Sequence, residues 1–198
     1  MTELQVDNHE NLIIEVSAVQ RVVIKERPQG GSGHKLDSIT VFLENFEPGR
    51  GKITIDHHGK SWSSYWGGMS GQDVATFVCR CDNHYLANCL APNTPASDLD
   101  WKALPAWAKT HVIAKRRAGD LTAEDARELF DKAQTAFAEA IDRQSRDLLP
   151  LNYLHQVIGF EWWHAQMPEK VTPEYATLNA VIDRVRVALR PIVAGKVI

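Results

Sequence analysis

The chain has 198 residues, 44% hydrophobic and 24% charged, with a net charge of −3 and a pI near 6.2. Those values describe a globular chain able to bury a core, as one domain or as one domain with a helical appendage. They exclude a constitutive duplex-DNA binder, which needs a strongly basic face, and a wholesale DNA mimic, which needs a far more acidic surface.

Charge is spread without a polarised tail: residues 1–95 carry 8 Lys and Arg against 11 Asp and Glu, and residues 96–198 carry 14 of each. Three cysteines is an odd, low number, which suits reduced thiols and a cytosolic setting. The opening MTELQVDNHENLIIEV is polar and acidic, unlike a signal peptide. No apolar run approaches the roughly 18 residues of a membrane span, so a soluble, intracellular protein is expected.

Residues 12–26 alternate, with Leu12, Ile14, Val16, Ala18, Val22 and Ile24 on one face. Period two over that length predicts a long strand. Pro28 to Gly33 reads as a hairpin loop. A second strand over 38–46 places Ile39, Val41 and Leu43 on one side. Pro48 to Gly51 turns the chain into a third strand, 52–57. His58-Gly59-Lys60 is a tight turn into a fourth, 61–66. Short connections make these four an antiparallel meander.

A helix is expected from Ser70 or Gly71, with Asp73 in its first turn. Its apolar stripe runs Val74, Phe77, Val78, Cys81, Tyr85 and Cys89. That stripe would cover one sheet face. The expected division is therefore 1–90 as sheet plus helix, 91–97 (APNTPAS) as linker, and 98–198 as an all-helical region packed on or appended to it. The fold class is α+β: a four-stranded antiparallel meander covered by one helix, then a helical C-terminal half.

In that half, a segment over 98–118 holds Trp101, Leu104, Trp107, Val112 and Ile113, interrupted or restarted by Pro105. Gly119 suits a C′ cap after Lys115-Arg116-Arg117. Thr122 to Asp125 has capping-box spacing, with Asp in place of Glu. The helix behind it carries Ala126, Leu129, Phe130, Ala133, Phe137, Ala140 and Ile141 on one face. Another helix is expected over 151–165. Thr172-Pro173-Glu174 starts the last one, which buries Leu178, Val181, Ile182, Val185 and Leu189.

Catalytic patterns such as G-x-S-x-G, H-E-x-x-H and the P-loop do not occur in the chain. Cys79, Cys81, His84 and Cys89 are zinc-ligand types. On one helix, however, residues 79 and 81 point about 200° apart, so buried thiols are the plainer reading and no metal or cofactor is expected. Asp56 and His57 admit acid–base chemistry, although neighbours on a strand face opposite sides, so at most one of His57 and His58 enters a given site.

Trp62 and Trp66 share a strand face destined for the core, which leaves Tyr65 pointing out. Trp162 and Trp163 lie about 100° apart on a helix, so burying both fully is difficult; either they belong to a wide apolar face of a buried helix, or one is a candidate anchor of the kind enriched in interface hot spots. Lys115, Arg116 and Arg117 complement a helix terminus and could also meet an acidic partner or a phosphate.

The block Gly51 to Leu90, through GKSWSSYWGGM and CDNHYLANCL, resembles a segment of small accessory proteins of tailed bacteriophages and prophages. The resemblance covers about a fifth of the chain and carries over no catalytic residue. It implies a phage-derived protein of the bacterial cytoplasm. Accessory proteins of this size are often inhibitors of host defence, anti-CRISPR proteins among them, or modulators of host nucleases.

The leading expectation is a non-enzymatic binding protein that occludes a host protein or protein–nucleic-acid complex through Trp162, Trp163, Tyr65 and Lys115 to Arg117. Two alternatives stand beside it. One is a single-strand nucleic-acid binder using the outer sheet face. The other is a small metal- or His-dependent enzyme centred on Asp56, His57 and the Cys79–Cys89 segment. A wide apolar face on the helical half also admits a homodimer.

Overall fold

The computed structural model describes residues 18–25 and 38–195. In chain order these form β1 (Gln20–Ile24), β2 (Ile39–Glu47), β3 (Arg50–His57), β4 (Lys60–Trp66), α1 (Val74–Arg80) and α2 (Asn83–Leu90). There follow β5 (Ser97–Leu99), α3 (Leu104–Ala118), α4 (Ala123–Ala136), α5 (Ala138–Arg143), α6 (Leu151–Val157), β6 (Glu169–Val171) and α7 (Pro173–Val193). The chain divides into two compact units, Met1–Pro95 with Pro173–Ile198, and Ala96–Thr172.

The first unit is built on the meander, an antiparallel sheet in the order β1-β2-β3-β4. Of the long strand expected over 12–26, Gln20–Ile24 is seen as strand; residues 12–17 and the loop Pro28 to Gly33 lie outside the described residues. Alternation sets the register, and Val41 pairs with Ile55 while Leu43 pairs with Ile53. All four of these side chains are at most 1% exposed. His58 and Gly59 both take positive φ, 51° and 71°. They close β3 onto β4 through a two-residue turn whose twist matches that of the strands.

The cover of the sheet differs from the single helix that the stripe suggests. Ser70 and Gly71 adopt positive φ and form a turn, and the helix begins at Val74, with Asp73 as N-cap accepting the Thr76 N–H at 2.7 Å. It stops at Cys81 because Asp82 caps a second helix, taking the Tyr85 N–H at 2.8 Å. A short acceptor side chain offers the backbone an alternative to continuing the helix. The rest of the cover is α7, whose Leu178, Val181, Ile182, Val185 and Leu189 join Val41, Ile55, Val78 and Leu86 in one buried cluster. The last helix thus belongs with the sheet and not with a continuous region 98–198. Its five apolar positions need a partner face, and α1, α2 and the inner sheet face supply it.

The second unit has its own core around Leu104, Ala108, Phe137 and Leu154, all fully buried. It is not wholly helical: β5 and β6 pair antiparallel, Ser97 with Val171 and Leu99 with Glu169. Pro105 lies in the first turn of α3, where its missing N–H costs nothing, and the helix is not broken. The helix behind Thr122 ends at Ala136, and Phe137 separates it from α5. The helix expected over 151–165 ends at Val157, and Gly159 follows at φ 130°, a conformation that favours glycine.

Candidate functional site

Because α6 stops before Gly159, Trp162, Trp163 and His164 do not lie on an α-helix but on a single 3-10 turn. That turn is closed by His164 N–H to Glu161 O and Ala165 N–H to Trp162 O, both at 3.0 Å. The tighter turn splits the tryptophan pair. Trp162 packs half-buried against the core of its unit, while Trp163 is 52% exposed and Phe160 76% exposed. The rings run in sequence: His155 to Phe160 at 5.4 Å, Phe160 to Trp163 at 6.0 Å, Trp163 to Trp162 at 6.1 Å and Trp163 to His164 at 5.9 Å.

Both tryptophans also line a cleft of about 760 Å³ with Leu99, Trp107, Leu149 and Met167. Arg146 and Glu169 supply its charges. Glu169 accepts the Ser97 hydroxyl at 2.5 Å, and Arg146 lies 4.0 Å from Asp98. This chemistry suits contact with an apolar or aromatic group.

The basic run ends α3. Gly119 takes φ 87°, and the amides of Gly119 and Asp120 bond back to the carbonyls of Arg116 and Lys115. Lys115 donates to Gln156 O at 3.2 Å, and Arg116 to Leu121 O at 3.4 Å. These bonds and the helix dipole account for part of the run. Arg116 and Arg117 also line a groove of about 550 Å³ beside α4.

Tyr65 belongs to the first unit. It is 51% exposed, beside Phe46 at 6.1 Å between ring centroids. Its hydroxyl accepts from Arg50 Nε at 3.2 Å and Nη2 at 3.1 Å, and Arg50 Nη1 pairs with Glu47 at 2.5 Å. Lys52 stands opposite Tyr65 in the ladder.

His57 ends β3, but His58 has entered the turn, so the two rings meet edge to face at 4.2 Å. The strand alternation expected to separate them does not reach His58. Cys79, Cys81 and Cys89 are half-buried against the core, and Cys79 Sγ donates to Arg186 O at 3.7 Å. Burial pushes the thiols of Cys79 and Cys81 up; for Cys79, the charges of Arg186 and Arg190 pull the other way. His84 turns to Tyr175 Oη at 2.8 Å and Asn88 at 3.1 Å. Among the described residues, no group of three or more His, Cys, Asp or Glu is placed to hold a metal ion.

Of the six residues expected at an interface, Trp162 and Trp163 share one cleft, Arg116 and Arg117 share one groove, Lys115 bonds to Gln156 O and lines neither, and Tyr65 is in the other unit. No interface role was expected of Phe160, Arg146 or Phe46, and Trp107 was read only as an apolar position of its helix. The Gly159-Phe160 step carried a usable signal, since glycine ends a helix and can leave the next apolar residue outside it.

No helix among the described residues is long and apolar enough to cross a membrane. A protein-family model described as a phage family, Phage_phiTE_072, matches residues 13–191. No curated protein and no solved structure matches the chain.

Proposed function

The chain belongs to this phage family, and on that premise we propose that it is a non-enzymatic binding protein acting on a host protein or protein–nucleic-acid complex by covering part of its surface. Host defence and nucleic-acid processing are the classes of target that a phage origin suggests. The carrying observation is the run of rings from His155 through Phe160 to Trp163, beside a cleft walled by three tryptophans. Large apolar side chains are left in water where a monomer gains nothing from them, and burying such anchors dominates interface energetics.

The test is capture from nuclease-treated bacterial lysate by the tagged protein, compared with a Phe160→Ala, Trp163→Ala double variant of unchanged circular dichroism. Wild type should retain one stoichiometric partner that the variant loses, its Kd rising about 30-fold or more, as truncated hot spots do. Equal retention by both proteins, or recovery of nuclease-sensitive material only, would overturn the reading.

A second reading has one observation behind it: Phe46 and Tyr65 lie together beside Arg50 and Lys52, the pairing of rings and cations that single-stranded nucleic acid uses. Glu44 and Glu47 engage those cations and weaken the case. Salt-dependent binding of a single-stranded oligonucleotide, lost in Tyr65→Ala, would support it; no binding at low salt would remove it.

A further inference from the structure

α3 and α4 form a helical hairpin joined by residues 119–122, and the groove beside them is separate from the tryptophan cleft. Val112, Ile113 and Phe130 make its floor. Val112 is buried at 1%, whereas Ile113, one step further around the helix, is 40% exposed although it is aliphatic. Arg116, Arg117 and Arg127 rim the groove, and Asp131 is its one acidic lining residue. Lys109 adds a fourth cation, its ammonium 4.5 Å from the centre of the Phe130 ring. Among the described residues, neither Arg117 nor Arg127 has a hydrogen-bond or ion-pair partner. This concentration of positive charge runs against the chain as a whole, which is −3.

We propose that this groove docks an acidic amphipathic helix of the partner protein, apolar side chains on the floor and carboxylates against the arginines. The proposal rests on the binding reading above and names the chemistry of a second contact on the partner. The shape argues for a helix: a furrow beside two packed helices takes residues repeating at three and four positions. The charge argues for carboxylates, because a guanidinium fork matches a carboxylate in two parallel bonds. A nucleic-acid backbone would satisfy the arginines but leave Ile113 and the floor uncovered. An apolar helix would cover the floor and leave three arginines without counter-charge.

The probe is a synthetic helical peptide with leucines at three- and four-residue spacing flanked by glutamates, read by fluorescence anisotropy at low and high salt. Its controls are the same peptide with lysine for every glutamate, and a single-stranded DNA oligonucleotide. The acidic peptide should bind more weakly as salt rises, and the lysine peptide should not bind. Arg117→Glu with Arg127→Glu should weaken binding about tenfold or more, since rim charges are reversed and not merely removed. Ile113→Ser should weaken it with a shallower salt dependence. Phe160→Ala with Trp163→Ala should leave it unchanged, so failure here and failure of the tryptophan site are separable. All the substituted side chains are exposed, and circular dichroism of each variant checks the fold. Equal binding of both peptides, indifference to the arginine reversals, or tighter binding of the oligonucleotide would overturn the proposal.

Discussion

At the scale of single residues, two positions bear heavily on stability for opposite reasons. Gly51 must lack a side chain: a Cβ there would lie 2.4 Å from Val74 Cγ2 and 2.5 Å from the carbonyl oxygen of Glu44, a backbone atom that cannot rotate away. Gly51→Ala should cost about 1–3 kcal/mol, as overpacking does. In a chain this size that is a fall in Tm of roughly 2–4 °C per kcal/mol. Gly68→Ala, with nothing within 4 Å of the added atom, is the control expected to change little. Tyr153 must keep its proton. Its hydroxyl donates to Leu129 O at 2.8 Å inside the second unit, and burial raises its pKa from 10.0 to about 12. A raised folded-state pKa means the contribution is fully present below the unfolded value and is lost as pH rises through the folded one. Urea unfolding should therefore show wild type losing stability between about pH 10 and about pH 12 relative to Tyr153→Phe. At pH 8 the variant should be less stable by about 1 kcal/mol, the net worth of the lost bond from the hydroxyl to the Leu129 carbonyl, which stays within the ladder of α4. Parallel pH profiles for the two proteins would contradict this.

At the scale of elements, local chemistry decides where helices begin and end. Thr122 accepts the Asp125 N–H at 3.1 Å while its own hydroxyl donates to the Asp125 carboxylate at 2.6 Å. Thr122→Ala should destabilise the second unit by about 1 kcal/mol, read as a shifted denaturant midpoint at unchanged m. Such signals lie in adjacent residues, which is why this cap, the meander and the five buried positions of α7 were legible before the structure. The missed elements have no comparable local signal. β5 and β6 are three residues each, pair across about seventy intervening positions, and show no alternation that could be read. The break at Cys81 was hidden because its apolar stripe runs on into α2 while Asp82 restarts the helix. The candidate site was half legible: an α-helix was expected to make full burial of both Trp162 and Trp163 difficult, and one does face water, but on a 3-10 turn to which that geometry does not apply. Which one faces water, and that Phe160 joins it, depends on the stop at Gly159.

At the scale of the whole molecule, the chain order conceals a discontinuous unit. Residues 96–172 leave and return through one ribbon: Ser97 pairs with Val171, and the Thr172 N–H bonds to Ala96 O at 3.2 Å. Their two ends are therefore neighbours, the geometry of an inserted domain. The sheet unit, by contrast, is incomplete until α7 has been made. Leu178, Val181, Ile182, Val185 and Leu189 are each no more than 1% exposed within its core. At about 1.5–3 kcal/mol for each buried aliphatic side chain, α7 contributes roughly 7–15 kcal/mol of burial, as much as the whole stability of an ordinary domain. Two deletions should then behave in opposite ways. A chain with residues 97–171 replaced by a short Gly-Ser linker should keep a cooperative unfolding transition and the dispersed amide spectrum of a packed sheet. A chain ending at residue 172, with every strand of the meander intact, should lose both. If the truncated chain keeps a cooperative sheet, α7 is an accessory and the division into units is wrong. If the linker chain collapses, the inserted residues supply something to the sheet that its own core does not.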